Sequence, residues 1–320
     1  MKISCLIFLF AISSISIAQM GEKPCPRNQP VISYHEQENA IFLFGGFCSL
    51  DKNKLNDLWK YDGQGWVRIT NDNPPPVRSG HSMVYDSFNN RLLVFGGKNE
   101  KGDLLNDLWS WDGSDWEMLS TDGPRPRQSQ RMVINSNNGD IFMFGGSNTE
   151  GKALNDTWVF RNGTWIEIES ENVPPARLQH TMSYDSKRNR VVLFGGFERT
   201  EKGKHIFGDT WEWQSTEGWI LRENSDRMAR DHHAMTYDLK TEGTILFGGY
   251  KDGYLGDTWH WNGEKWQELK ITGPSARAGK PGLIFDSNNG VVILFGGWDK
   301  SNEPLMDLWQ IDAQQLWRKY

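Results

Sequence analysis

Arginine recurs at a near-constant interval along the chain, at Arg27, Arg78, Arg127, Arg177, Arg230 and Arg277. Three residues after the first five stand Pro30, His81, Gln130, His180 and His233, and the last unit is shifted by one residue around Lys280-Pro281. A second series follows paired glycines: Phe47, Phe197, Tyr250 and Trp298 come directly after Gly45-Gly46, Gly195-Gly196, Gly248-Gly249 and Gly296-Gly297. Guanidinium groups pair bidentately with carboxylates, and rings stack on sugar or peptide planes. Gathered round one mouth, these residues would take an anionic ligand with flat apolar faces. A residue present in every unit is also a candidate for holding units together, so the arginines can equally hydrogen-bond carbonyls of neighbouring links. The positions that differ between units are the better ligand candidates: His81, His180, His233, Tyr250, Trp298 and the long segment 198–206.

Other chemistry finds little support. His232 and His233 are adjacent, and neighbours on a strand point to opposite faces, so they do not make a joint metal site. The segment Asp51-Lys-Asn53 lacks the glycine and terminal glutamate of a calcium loop. No metal and no cofactor is expected.

The elements that must position these residues are legible in the same repeat. Each Gly-Gly ends an apolar run, and an Asp-x-Trp follows it: Asp57/Trp59, Asp107/Trp109, Asp156/Trp158, Asp209/Trp211, Asp257/Trp259 and Asp307/Trp309. A second tryptophan comes after, at Trp66, Trp116, Trp165, Trp219, Trp266 and Trp317. A period of about 50 residues means stacked units that cannot bury their own faces alone. In the second unit, 81–85 alternates apolar and polar, 86–90 supplies turn residues, and 91–95 is a second strand. Residues 108–111 form a third strand, Asp112-Gly113 a tight turn and 116–119 a fourth. Four antiparallel strands per unit, arranged radially, predict an all-β six-bladed propeller. Strand parity then puts the loops after Gly-Gly and the links between units on one face and the short turns on the other. The glycines free the chain from Cβ clashes, the tryptophans fill the space between blades, and the Asp of each Asp-x-Trp is expected to accept from loop amides. Each unit owns all its strands, so packing alone must close the ring.

The Gly pairs, the spaced tryptophans and an Arg-x-x-His-like start to the first strand resemble the kelch family over residues 27–320. In similar kelch adaptors, arginines at matching strand starts bind acidic peptide motifs. The resemblance therefore implies a non-catalytic domain that binds a protein or glycan ligand through Arg78, Arg127, Arg177, Arg230, Arg277, His81, His180, His233, Phe47, Phe197, Tyr250 and Trp298. Relatives that are enzymes supply the contrast. Copper oxidases related to galactose oxidase need a Tyr–Cys cofactor, which Cys25 and Cys48 do not match. The Glu-x-x-x-Asp-x-x-x-His iron motif of nitrile-specifier-like relatives does not occur. The sialic-acid mutarotase type, which needs only proton donors and acceptors beside a bound acidic sugar, stays open, as does a structural or adhesive role.

Net charge is −6 with no long basic stripe, which argues against nucleic acid as a partner. Lys2, the apolar run 6–18 and the small-x-small ending Ser16-Ile17-Ala18 predict a signal peptide over 1–18, a lead segment over 19–26 and the propeller over 27–320. The expected product is a secreted monomer, extracellular or periplasmic, without a transmembrane span. Cleavage would leave Cys25 and Cys48 in an oxidising compartment, flanking one hairpin that places Cys48 opposite residues near Asn28. A disulfide is expected, the alternative being two buried thiols. Asn155 and Asn162 begin glycosylation sequons.

Overall fold

The computed structural model describes residues 22–301, 303–312 and 315–320. The expected signal peptide lies outside them. Among the described residues no helix is long and apolar enough to cross a membrane.

The strands assemble into radial antiparallel sheets, and each sheet uses one contiguous repeat. The second blade runs Ser82–Asp86, Arg91–Lys98, Leu104–Trp111 and Trp116–Ser120. Its two inner strands are buried almost throughout, because blades cover both of their faces, and a strand covered on both faces reads as a continuous apolar run. The turn between them is fixed locally. Asn90 takes a left-handed φ of 51° while its side chain accepts from the Tyr85 hydroxyl at 2.9 Å. Asp86 accepts from the amides of Phe88 and Asn89.

Apolar cores lie between blades rather than within them. One joins Phe42, Phe44 and Leu58 of the first blade to Met83, Leu92, Val94 and Trp116 of the second. The second tryptophan of each repeat packs on a phenylalanine of the preceding blade: Trp116 on Phe44, Trp165 on Phe95, Trp219 on Phe144, Trp266 on Phe194, Trp317 on Phe247 and Trp66 on Phe295. The last pair crosses the seam between the sixth blade and the first. There Ile32, Leu43 and Trp59 meet Ile293, Phe295 and Leu308. The first blade's inner strand is interrupted, with Arg27–Asn28 and Val31–His35 both pairing with Ala40–Cys48. Cys25 and Cys48 form a disulfide.

Two local features differ from expectation. Residues expected as a long loop form a second hairpin, Phe197–Thr200 with Gly203–Ile206. The main partners of the Asp-x-Trp aspartates are the arginine series and the indole two residues on, with their own backbone amide adding a bond at Asp107, Asp156, Asp257 and Asp307.

Candidate functional site

Each arginine enters its own blade. Arg78 donates from Nη1 and Nη2 to the two carboxylate oxygens of Asp107, from Nη1 to the Gly96 carbonyl and from Nε to the Pro76 carbonyl. The indole of Trp109 donates to the same carboxylate at 2.7 Å. The pattern repeats as Arg27–Asp57, Arg127–Asp156, Arg177–Asp209, Arg230–Asp257 and Arg277–Asp307. Burial pushes the Asp107 carboxyl up, yet the Arg78 guanidinium and the Trp109 indole outweigh it and hold the group below its ordinary value. Four of a guanidinium's five N–H donors are thereby engaged inside the blade. Meanwhile the arginine backbone joins the blade before, Gly46 N donating to Arg78 O at 2.9 Å.

The histidine series is also interior. His81, His180 and His233 are buried, standing edge-on to Phe44, Phe144 and Phe194 of the preceding blade. Burial, with Arg78 and Lys280 beside it, drives the His81 imidazole well below its usual value, so it is neutral. His233 Nε2 lies 2.5 Å from Thr181 Oγ1.

The aromatic series behaves differently. Tyr250 and Trp298 line a cleft of about 250 Å³ on the loop face, together with Asn28, Gln29, Lys204, Asp231, His232 and Tyr254. The fourth blade's hairpin contributes Lys204 to it. Lys204, on that hairpin, pairs with the buried Asp231 and lies 4.4 Å from the centre of the Phe197 ring. Asp231 also holds His232 Nδ1 at 2.5 Å, and the His232 ring stacks on Phe197. Burial lowers the pKa of His232, with Lys280 and Lys204 adding to the effect against Asp231. The Trp298 indole nitrogen is buried without a hydrogen-bond partner. Phe47, the remaining aromatic, is half-buried beside Cys48 and pairs with Asn28.

The cleft thus unites Tyr250 and Trp298, with the buried Phe197 packed against its lining residues Lys204 and His232, and leaves the arginines and the buried histidines in the blade interior. Lys204, Asp231 and His232 complete it. Their signal in the sequence is departure from the repeat: Asp231 is the one acidic residue following a repeat arginine, and Lys204 lies in the longest segment after a Gly pair. Asn155 and Asn162, at the starts of the sequons, are both exposed. A family model described as the KLHDC2/KLHL20/DRC7 Kelch-repeats domain matches residues 64–212 and 161–320.

Proposed function

The chain belongs to the KLHDC2/KLHL20/DRC7 Kelch-repeats domain family, and on that premise we propose that it is a secreted, non-catalytic binding protein that grips a protein partner in the loop-face cleft. The observation carrying this reading is the hairpin Phe197–Ile206, which pairs well past the Gly pair where the first, second and fifth blades stop at Phe47↔Lys54, Lys98↔Leu104 and Tyr250↔Tyr254, and which brings Lys204 into the cleft beside Tyr250 and Trp298. Partly exposed Tyr and Trp side chains bury large area at small entropic cost, which makes them favoured anchors of an interface. Lys204, partly exposed above the buried Asp231 that holds it in place, offers a donor to the rim of a bound segment. A monomer presents this face unobstructed. The disulfide fits an oxidising compartment.

The test is affinity capture by the immobilised mature domain from the medium surrounding its own source cells, with a glycan array in parallel. Tyr250→Ala combined with Trp298→Ala should lose the captured protein while leaving the melting temperature nearly unchanged. Capture that survives the double variant would move the interface elsewhere. Array binding with no captured protein would replace the protein partner by a glycan.

A further inference from the structure

The innermost strands pair on one side only, with the second strand of their own blade. Their free backbone edges line an axial channel of about 310 Å³. Its open end lies among the short turns, ringed by Glu36, Ser87, Ser136, Ser186, Leu239 and Ser287. Towards the loop face the chain draws inward into a girdle. Ser129 N donates to Gly80 O at 2.7 Å, Gln179 N to Ser129 O at 3.4 Å, His232 N to Gln179 O at 3.2 Å and Lys280 N to His232 O at 3.3 Å. Gln29 and His232 line the cleft on one side of this girdle, while Pro30 and Pro281 line the channel on the other.

Next to the girdle stand two cations without counter-charges among the described residues. Arg131 lines the channel; its Nε donates to the His180 carbonyl at 3.1 Å, and among the described residues no carboxylate pairs with its guanidinium. Lys280 is 3% exposed, and its Nζ is buried without a hydrogen-bond partner. Among the described residues, the only other charged one lining the channel, Glu36, is at the far rim. Neither cation belongs to the repeat. Ser82, Thr181 and Ala234 occupy the position of Arg131 in other blades, and Lys280 takes the girdle position held by Gln29, Gly80, Ser129, Gln179 and His232 in the others, Gly279 being the extra residue of the sixth. The fold itself therefore does not require them, and an unpaired buried cation costs stability.

We propose that the channel is a binding site for a small organic carboxylate, which enters from the short-turn face and sets its oxygens on Arg131, with Lys280 adding positive charge behind it. A planar guanidinium fork matches a carboxylate. The strand-lined wall, with Tyr34, Tyr85 and Phe285 towards the open end, accommodates an apolar body. Burial and the neighbouring Arg131 push the Lys280 ammonium well below the usual lysine range, and burial brings Arg131 to about 10; a bound anion opposes both.

Calorimetric titration of the mature chain with benzoate and with succinate, at constant ionic strength and against benzamide, tests the site. Saturable one-to-one binding of at least one acid and none of the amide is expected. Arg131→Gln should weaken it about tenfold or more, whereas the Tyr250→Ala, Trp298→Ala pair should leave it unchanged. Lys280→Met should also weaken it and should raise the melting temperature of the ligand-free protein. No saturable binding of either acid, equal binding by benzamide, or full affinity in Arg131→Gln would overturn the proposal. If Arg131→Gln does not fold, affinity retained in Lys280→Met does the same.

Discussion

Arg177 and Asp209 face each other through two parallel N–H···O contacts of 2.6 and 2.7 Å, both side chains buried. The arginine stands in the link entering the fourth blade and the aspartate at the start of that blade's third strand, so the pair ties the link across the sheet. Its backbone carbonyl accepts from Gly146 N of the third blade at 2.9 Å. One residue thus fixes its own blade with its side chain and the preceding blade with its main chain.

Removing one partner leaves the other charge buried and alone, which costs about 3–5 kcal/mol in comparable buried pairs. Arg177→Ala with Arg230→Ala should therefore unfold the protein or lower its melting temperature severely. Asp209→Asn should be strongly destabilising as well. Denaturant unfolding followed by tryptophan fluorescence measures both, and a near-native midpoint in the double variant would refute the structural role of these arginines.

The same pairs set the response to acid. Asp107, Asp156, Asp257 and Asp307 are held below their ordinary value against the opposing pull of burial. A carboxyl lowered on folding contributes stability that is fully present above the unfolded value of about 3.9 and is lost as pH falls through the folded value. Melting temperature should thus change little from these groups above about pH 5 and fall steeply below about pH 4. Asp107→Asn should flatten that decline, and an unchanged acid slope in this variant would count against the assignment.

Gly97 shows why the double glycine recurs. It has φ of 99°, and a Cβ there would stand 2.8 Å from the Ser79 carbonyl and 3.0 Å from the His81 backbone nitrogen. Gly97→Ala therefore forces backbone as well as side chain to move, and a loss exceeding 1 kcal/mol, roughly the cost of a strained backbone position alone, is expected. Gly113→Ala provides the comparison, because its φ is similarly positive at 102° but open space surrounds it. Equal losses at the two sites would leave the neighbouring-link contact without weight.

The fold was legible because its devices are local and repeated. Paired glycines, Asp-x-Trp and the second tryptophan each recur where a blade meets its neighbour, and their period alone implies radial sheets. The partner of Arg78 was not legible in the same way. Asp107 lies 29 residues away, and only the closed sheet brings them together. Read from spacing, a ring of arginines looks like a charged mouth; in the folded chain each charge is spent inside its blade. Tyr250 and Trp298 could be singled out because they depart from a strict repeat, whereas Lys204 depends on a hairpin whose turn, 201–202, carries no strong turn signal.

Ring closure gives the last prediction. At successive seams Gly46, Gly97, Gly146, Gly196 and Gly249 donate to the carbonyls of Arg78, Arg127, Arg177, Arg230 and Arg277 at 2.8–2.9 Å. Among the described residues no equivalent bond joins Gly297 to Arg27, and apolar packing with the Asn288 amide on the Glu36 carbonyl takes its place. The disulfide lies beside this seam, tying Cys25, two residues before Arg27, to Cys48 across a separation of 23 residues. Replacing both cysteines by serine should cost about 2–4 kcal/mol through the freedom it restores to the unfolded chain. It should also loosen the seam first. Hydrogen exchange in the double serine variant should accelerate in Val31–His35 and Gly282–Asp286 before it does in Thr181–Asp185, across the ring. Uniform acceleration in all three strands would mean that the disulfide steadies the whole fold and does not specifically brace its closure.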